Sequence, residues 1–522
     1  MKAKRRVKRR SSQALRRLDE ASGFFIVVSA VFSPWAFGSV HPWAIQTMNT
    51  FGFTLGAILL LKGLLRRAGQ QDHGWSLNYS HPFISNYSSV LKFLSVILIL
   101  FTSIHTLNSR ASFDISTLRF TYFANYVSWL PHSYDKNQSL RELLSVISLV
   151  FFFWGTADWL KGGSIRSIPQ LSGRRPDADV SYTAHQPLPE RLIWLATTLT
   201  ISTGALAFLG LLQKLDQSPK LLWLIEPTFL KKPEQHFGPF AYRGNASSYI
   251  NLILPLSIFT LVNLRNNCIR FSRSFRSGSS GFVGLIPVVL IILAGAFSTN
   301  SRAGALIALC IVFVCALNLA NRNGSRLKKL TIILVLSVIT VSLLLTIGEQ
   351  TVDRLRSTLE TIQGTDSIKD QRAGRIQGRI EIYKHLPQMI EDYYLWGSGP
   401  GTFSSVFHLY RGEGMIRMGN YIPLPLAAWA HCDLVEFLIT YGAFGMGLLL
   451  SGLALIILAI PINRTHSIRA VGDEHWLISL ALLGFLLHSL VDFPLQVYST
   501  RHVFILVLAL ALTASLIPKP HQ

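Results

Sequence analysis

Acidic residues are scarce in this chain. Asp and Glu number 27 against 49 Lys and Arg in 522 residues, and charged residues of both signs make up only 15% of the whole. A soluble domain carries about 25%, so a cytosolic globular enzyme is excluded. A disordered chain is excluded too, because half of the residues are hydrophobic and such a chain buries apolar surface readily. Cysteine is equally scarce. Cys268, Cys310, Cys315 and Cys432 form no CxxC pair, and Cys310 and Cys315 fall inside an apolar run, where cysteine packs as a small hydrophobe. Neither a disulfide framework nor a zinc site follows. GxxxxGK[ST] and HExxH are absent, which sets aside ATP-driven and metallopeptidase chemistry.

What is abundant is hydrophobic sequence in runs long enough to cross about 30 Å of hydrocarbon, the reach of about 20 helical residues. Such runs predict an all-α, polytopic transmembrane helical bundle, because lipid gives the backbone no hydrogen-bond partners and alternating barrel strands produce no long runs. Twelve spans are expected: Ala21–Phe37, Trp43–Leu65, Val90–Leu107, Leu143–Leu160, Leu192–Leu212, Ala246–Leu264, Phe282–Phe297, Ala303–Leu319, Leu330–Ile347, Leu434–Ile460, Trp476–Phe493 and Val503–Ile517. The organisation follows as a basic cytoplasmic tail over 1–20, spans one to nine over 21–347, a large periplasmic loop over 348–430, spans ten to twelve over 431–517, and a short cytoplasmic tail over 518–522.

The net charge of +22 would suggest nucleic acid in a soluble protein. Here the positive-inside rule accounts for much of it, and membrane lipids rather than nucleic acid are the expected partners. Met1 to Arg17 holds nine Lys/Arg and no acid, and Arg66/Arg67, Arg174/Arg175, Arg322/Arg326 and Arg464/Arg469 all fall on the same side. Both termini are therefore expected inside. Asn108–Leu140, Lys214–Gly244 and Gly348–Ala430 become long outer segments. The last is basic against the rule, which long loops escape, and this calls for a reason. No Asp-x-Asp pair stands on the outer segments to hold a divalent ion for a nucleotide-sugar enzyme, so no metal and no cofactor are expected.

Candidate chemistry gathers at the outer ends. Gly374–Asp392 has helical periodicity, with Ile376, Ile380 and Tyr383 on one face and Arg372, Arg375 and Arg379 on another. Three guanidinium groups on one stripe match the oxygens of a multiply charged anion such as a pyrophosphate, although a solvated basic face has the same spacing. Arg243 stands just before span six. Arg302 stands in the short turn Ser298–Gly304, among hydroxyl and amide donors that also suit an anion; a charge at that depth pairs, snorkels or faces a wet cavity. His431 enters span ten beside Asp433 and Glu436, and a neutral imidazole is a natural general base for a hydroxyl. His488 and Asp492, at i and i+4 near the end of span eleven, are read as a mutual hydrogen bond that locks the bundle. Gly397-Ser398-Gly399-Pro400-Gly401 lacks the strand–helix context and the lysine of a phosphate loop, and reads as a turn returning the chain to the membrane, with anion contact open.

Together these residues resemble the O-antigen ligase / O-antigen polymerase family of bacterial membrane glycosyltransferases. The likeness runs over roughly Phe240–Leu516. It is carried by Arg243-Gly244-Asn245, by Ser301-Arg302-Ala303-Gly304, by Gly378-Arg379-Ile380-Glu381-Ile382-Tyr383 leading to the 397–401 turn, by His431-x-Asp433 leading to Tyr441-Gly442-Ala443-Phe444-Gly445, and by His488–Pro494. Cys432 and Ala303 depart from frequent family residues. The resemblance implies a GT-C-like bundle in the bacterial inner membrane, its active site facing the periplasm. It implies metal-independent, inverting transfer of a glycan from undecaprenyl pyrophosphate to an acceptor hydroxyl, such as that of lipid A-core. The family arginines fall on Arg302 and Arg379 and the family histidine on His431. Arg243, Arg372, Arg375, Asp433 and Glu436 are expected to bind substrate. Repeat-unit polymerisation and protein O-glycosylation use similar groups and stay open. So do a small-anion, bicarbonate-like carrier, which would place its polar groups near the midplane, and a scaffold for polysaccharide export.

Overall fold

A computed structural model describes residues 2–68, 82–162, 190–227, 232–272, 283–322, 373–410, 429–462 and 476–515. The expected ninth span, Leu330–Ile347, lies outside the described residues, as do Arg372 and much of the 348–430 loop. The described helices are α1 (Lys2–Trp35), α2 (Pro42–Ala68), α3 (Pro82–Leu107), α4 (Lys136–Gly162), α5 (Glu190–Asp216), α6 (Arg243–Ser272), α7 (Leu285–Ser298), α8 (Arg302–Arg322), α9 (Ala373–Asp392), α10 (Phe403–Phe407), α11 (Asp433–Ile462), α12 (Trp476–Ser489) and α13 (Tyr498–Ser515). Six of them, α2 to α6 and α11, contain stretches long and apolar enough to cross a membrane; α7, α8, α12 and α13 hold shorter apolar stretches. In α1 the basic tail and the first apolar run form one continuous helix of 34 residues.

The bundle is built around α6. Of its most apolar stretch 78% is buried, against 22–56% in the other five. α6 packs on α12, α5, α7 and α8, and its buried Asn251, Ser257 and Thr260 bond to backbone carbonyls, which lets a partly polar helix sit in the middle. Its Tyr249, Ile250, Ile253 and Phe259 join Leu199, Ile292, Leu482 and Val507 in the main apolar core.

A second, smaller core sits at one end of the bundle. Ile382, Leu386 and Met389 of α9 pack with Tyr393, Phe403, Phe407, Ala430 and Ile439. The buried stripe of α9 is thus shifted from the expected Ile376/Ile380/Tyr383 face, and Tyr383 is 42% exposed. Arg375 and Arg379 belong to the same helix, ahead of Ile382. Their side chains lie outside the described residues.

The 397–401 turn fastens this smaller core to α11. Backbone amides of Ser398 and Gly399 donate to Ile439 O (2.9 Å) and Thr440 O (3.0 Å), and Phe444 N donates to Leu395 O (3.2 Å). α11 is broken at Gly442 (φ 65°, ψ −179°) to receive it. A side chain at Gly397 or Gly442 would meet the opposing backbone at 2.3 and 2.4 Å, and both have positive φ, so glycine is required at each. The amides of Ser398 and Gly399 are therefore committed to helix carbonyls, and the turn acts as a staple. On its other side Tyr134 N donates to Ser398 O (2.9 Å) and Ser139 Oγ to Pro400 O (3.0 Å). The outer segment Asn108–Leu140 thereby joins the same end. It contains an antiparallel hairpin, β1 (Ala111–Asp114) and β2 (Arg119–Tyr122), in register from Ala111↔Tyr122 to Asp114↔Arg119.

At the opposite end of α4, Asp158 pairs with Lys62 (2.6 Å) and Arg66 (2.7 Å), while Asp19 pairs with Lys62 (2.9 Å) and Arg191. Four helices are clamped there by opposite charges, and Lys62 is 2% exposed.

Candidate active site

Three chain segments meet beside the smaller core: the start of α6, residues 429–433 leading into α11, and residues 490–497 after α12; the start of α8 lies against α6. Asp492 stands at the centre. Its backbone continues from α12, with N donating to His488 O (3.0 Å), and its carbonyl accepts from Asp433 N (3.3 Å). Its carboxylate faces three donors. Oδ2 accepts from Tyr242 Oη at 3.0 Å, and Oδ1 accepts from Phe493 N at 3.1 Å. Oδ1 also lies 3.5 Å from His431 Nδ1.

His431 is held from two sides. Its backbone adopts φ 53°, a left-handed conformation uncommon outside glycine and costly by about 1 kcal/mol or more. Its ring stands edge-on to Phe493 at 4.9 Å. Phe493 is in turn stacked between Trp429 (5.5 Å, 12°) and Tyr242 (5.3 Å, 10°). A carboxylate facing Nδ1 favours the tautomer protonated there, which leaves Nε2 with its lone pair. The His431 side chain is 22% exposed, so it is reachable while Asp492 beneath it is buried.

The expected companions of His431 are differently engaged. Asp433 Oδ2 accepts from Leu495 N at 2.9 Å, and Glu436 Oε2 accepts from Ala430 N at 2.8 Å. Both are buried. They tie the entrance of α11 to the 492–497 turn and to residue 430, so they set the position of His431 through the backbone. The lock expected between His488 and Asp492 is not made. Both ring nitrogens of His488 lack a hydrogen-bond partner among the described residues, and the Asp492 carboxylate turns to Tyr242 and His431.

Arg243 and Arg302 are the first residues of α6 and α8. Arg302 is exposed and Arg243 half-buried. Asn300 (φ 59°) reverses the chain ahead of α8. Ser301 Oγ caps that helix, accepting from Gly304 N (3.2 Å), and Thr299 Oγ1 donates to Ala296 O (3.1 Å). The hydroxyls expected to greet an anion thus hold the turn. About two turns into α6, Asn251 Nδ2 donates to Gly304 O at 2.8 Å, which binds α8 to α6 and brings the two helix starts together. Neither helix has an acid in its first turn. A cation placed before a helix N-terminus is disfavoured by about 0.3–1 kcal/mol, and an anion bound there reverses the sign. α11, which starts at the same end, carries Asp433 and Glu436 in its first turn instead. Lys214 adds positive charge near Arg243, with Glu234 as an opposite neighbour.

The structure therefore brings His431, Arg243 and Arg302 to one end, with α9 and Arg379 in its backbone packed on the entrance of α11. Sequence reasoning missed Asp492 as the partner of His431, together with Tyr242, Phe493 and Trp429. The segment His488–Pro494 had marked Asp492, but its partner is 61 positions away, beyond any local spacing rule. No group of three or more His, Cys, Asp or Glu suited to a metal occurs among the described residues.

Compared with known proteins, residues 287–450 match the family model described as O-antigen ligase. That stretch contains Arg302, Arg379, His431, Asp433 and Glu436, and leaves Arg243 and Asp492 outside. No curated protein matches the chain.

Proposed function

We propose, from the match of residues 287–450 to the O-antigen ligase family model, that this chain is an inner-membrane glycosyltransferase joining a lipid pyrophosphate-linked glycan to an acceptor hydroxyl at the periplasmic surface. The donor is undecaprenyl pyrophosphate-glycan, and the acceptor is lipid A-core or another hydroxyl-bearing surface molecule. The isoprenoid tail stays in the bilayer, which holds the pyrophosphate at headgroup level beside the starts of α6 and α8. Arg243 and Arg302, joined by Arg379 from α9, neutralise the charge that grows on the departing pyrophosphate. His431 Nε2 takes the proton of the acceptor hydroxyl as its oxygen attacks the anomeric carbon. The bond from that carbon to the phosphate oxygen breaks, and the electron pair leaves with the pyrophosphate. Attack from the opposite face inverts the anomeric centre. Asp492 stabilises the imidazolium that forms and keeps Nδ1 protonated.

The observation that supports this reading most directly is the imidazole of His431 held over buried Asp492, at the end of the bundle where two helices begin with arginine. The test is transfer by the purified protein in lipid nanodiscs. His431→Ala and Arg302→Ala are expected to abolish transfer while the protein stays in the membrane, and EDTA to leave the wild type active. Full activity in His431→Ala, or inhibition by EDTA that Mn²⁺ reverses, overturns the mechanism. The glycan profile of a deletion strain separates the acceptors. Uncapped lipid A-core with accumulated long donor means ligation, and capping with single repeat units means polymerisation.

A further inference from the structure

The hairpin and turn between α3 and α4 lie outside the matched stretch yet at the same end as His431. They gather aromatic rings around one arginine. The Arg110 guanidinium lies 5.9, 5.7 and 5.1 Å from the ring centres of Tyr122, Tyr126 and Tyr134, and its Nη1 donates to Tyr134 Oη at 2.9 Å. His132 completes the set, 5.2 Å from Tyr126 and 5.7 Å from Tyr134. Its Nδ1 donates to Leu130 O at 3.0 Å, which leaves Nε2 as an acceptor. Burial lowers the His132 pKa, and the charge of Arg110 adds to the effect, so the ring is neutral near pH 7.

The array is pinned, but its surface is open. Asn108 uses its whole side-chain amide on the turn: Nδ2 donates to Val127 O (2.9 Å) and Pro131 O (3.1 Å), and Oδ1 accepts from Val127 N (2.7 Å). Asp114 closes the hairpin, accepting from Ser116 N, Ser116 Oγ and Thr117 Oγ1 at 2.7–2.9 Å. Yet Trp129 on the same turn is 74% exposed and Tyr122 is 56% exposed. The array is also continuous with the smaller core, beside which the candidate site lies. Phe113 stacks on His408 (5.0 Å, 19°), and Tyr134 meets Tyr393 edge-on at 5.1 Å.

We propose that this platform, centred on Arg110 and flanked by Trp129, binds the pyranose chain of the glycan that is transferred. The sugar lays its C–H faces on the rings of Tyr122 and Trp129, while Arg110 donates to its ring-substituent oxygens and His132 Nε2 accepts from a hydroxyl. A sugar needs rigid ring faces and a few fixed polar groups, and pinning them in advance reduces the ordering cost of binding. Aromatics that anchor a protein at the membrane interface work through an apolar body and a polar tip. They require neither a cation enclosed by rings nor a turn fixed through a complete amide. The proposal rests on the transferase reading for the identity of the glycan.

The test uses the full chain in nanodiscs. The probe is the oligosaccharide released by mild acid from the host's lipid-linked glycan and freed of lipid, followed by saturation-transfer NMR. Wild type and His431→Ala are expected to bind it alike. Trp129→Ala and Tyr122→Ala, both at exposed positions, are each expected to weaken binding by about tenfold, the loss typical of an aromatic anchor, with unchanged thermal unfolding. Undiminished binding in both variants overturns the platform, and so does quenching of the Trp129 fluorescence by brominated lipid, which would place that ring in the bilayer. A wild type that transfers nothing but binds through Trp129 and Tyr122 overturns the transferase reading and leaves the platform standing.

Discussion

The clamp at one end of the bundle and the surroundings of His431 at the other use their carboxylates differently. At one end Asp19 and Asp158 answer Lys62, Arg66 and Arg191, so that four helices are fastened by cations and carboxylates facing one another. At the other end Arg501 and Glu142 form one such pair, but around His431 Asp433 and Glu436 answer backbone amides, and Asp492 answers a tyrosine and an imidazole, while two arginines head helices whose own dipoles disfavour them. Carboxylates facing cations make a clamp. Carboxylates that hold the chain and a base, beside cations set where an anion is favoured, make a site. Damage at the first end should therefore appear as lost stability and damage at the second as lost chemistry.

The sharpest break of that contrast is Asp492→Asn. An amide nitrogen facing Nδ1 of His431 selects the wrong tautomer, and transfer is expected to fall by about 10²–10⁴ with little change in unfolding temperature. In a His431→Ala background the same substitution should cost nothing further, which single-turnover rates would check. Next is Asp158→Ala at the clamp. It removes the carboxylate that Arg66 and Lys62 share, and should cost about 3–5 kcal/mol of stability, read as a fall in denaturation midpoint, while the surviving folded protein keeps its specific activity. Gly244→Ala is a smaller break. The added Cβ would stand 2.2 Å from Asp492 Oδ2 and 2.5 Å from the Tyr242 ring, and displacing that carboxylate should lower kcat by about ten- to hundredfold. The mildest is Tyr242→Phe. It removes one hydrogen bond to Asp492, worth about 0.5–1.5 kcal/mol, and should lower kcat by about two- to tenfold with KM for the donor unchanged.

Much of the helical frame is legible from hydropathy, because an 18-residue apolar run has few other solutions than a helix in lipid or at the centre of a bundle. Eleven of the twelve expected spans coincide with helices in the described residues. The helix at 373–392 was legible from its period, but its buried side was not. Tyr383 and Ile382 differ by one position, and only the contacts with Phe403, Phe407 and Ala430 decide which faces inward. The role of the 397–401 turn was hidden for a similar reason. Gly397 serves a backbone contact with Gly442, more than forty positions later, and Gly399 makes way for Ser133, far earlier in the chain.

Residue types and local spacing determined three things: that the chain is helical and apolar enough for a membrane, that Arg302 and Arg243 stand at helix starts, and that His431 stands at the entrance of a span. These are properties of a few neighbouring residues, set by hydrogen-bond satisfaction and helical period. Which carboxylate faces His431 was decided by the fold alone. Asp433 and Asp492 are both within reach of that entrance, but the backbone amide of Leu495 takes the first and leaves the second to the imidazole. That allocation depends on how α6, α11 and α12 pack, which no local pattern encodes.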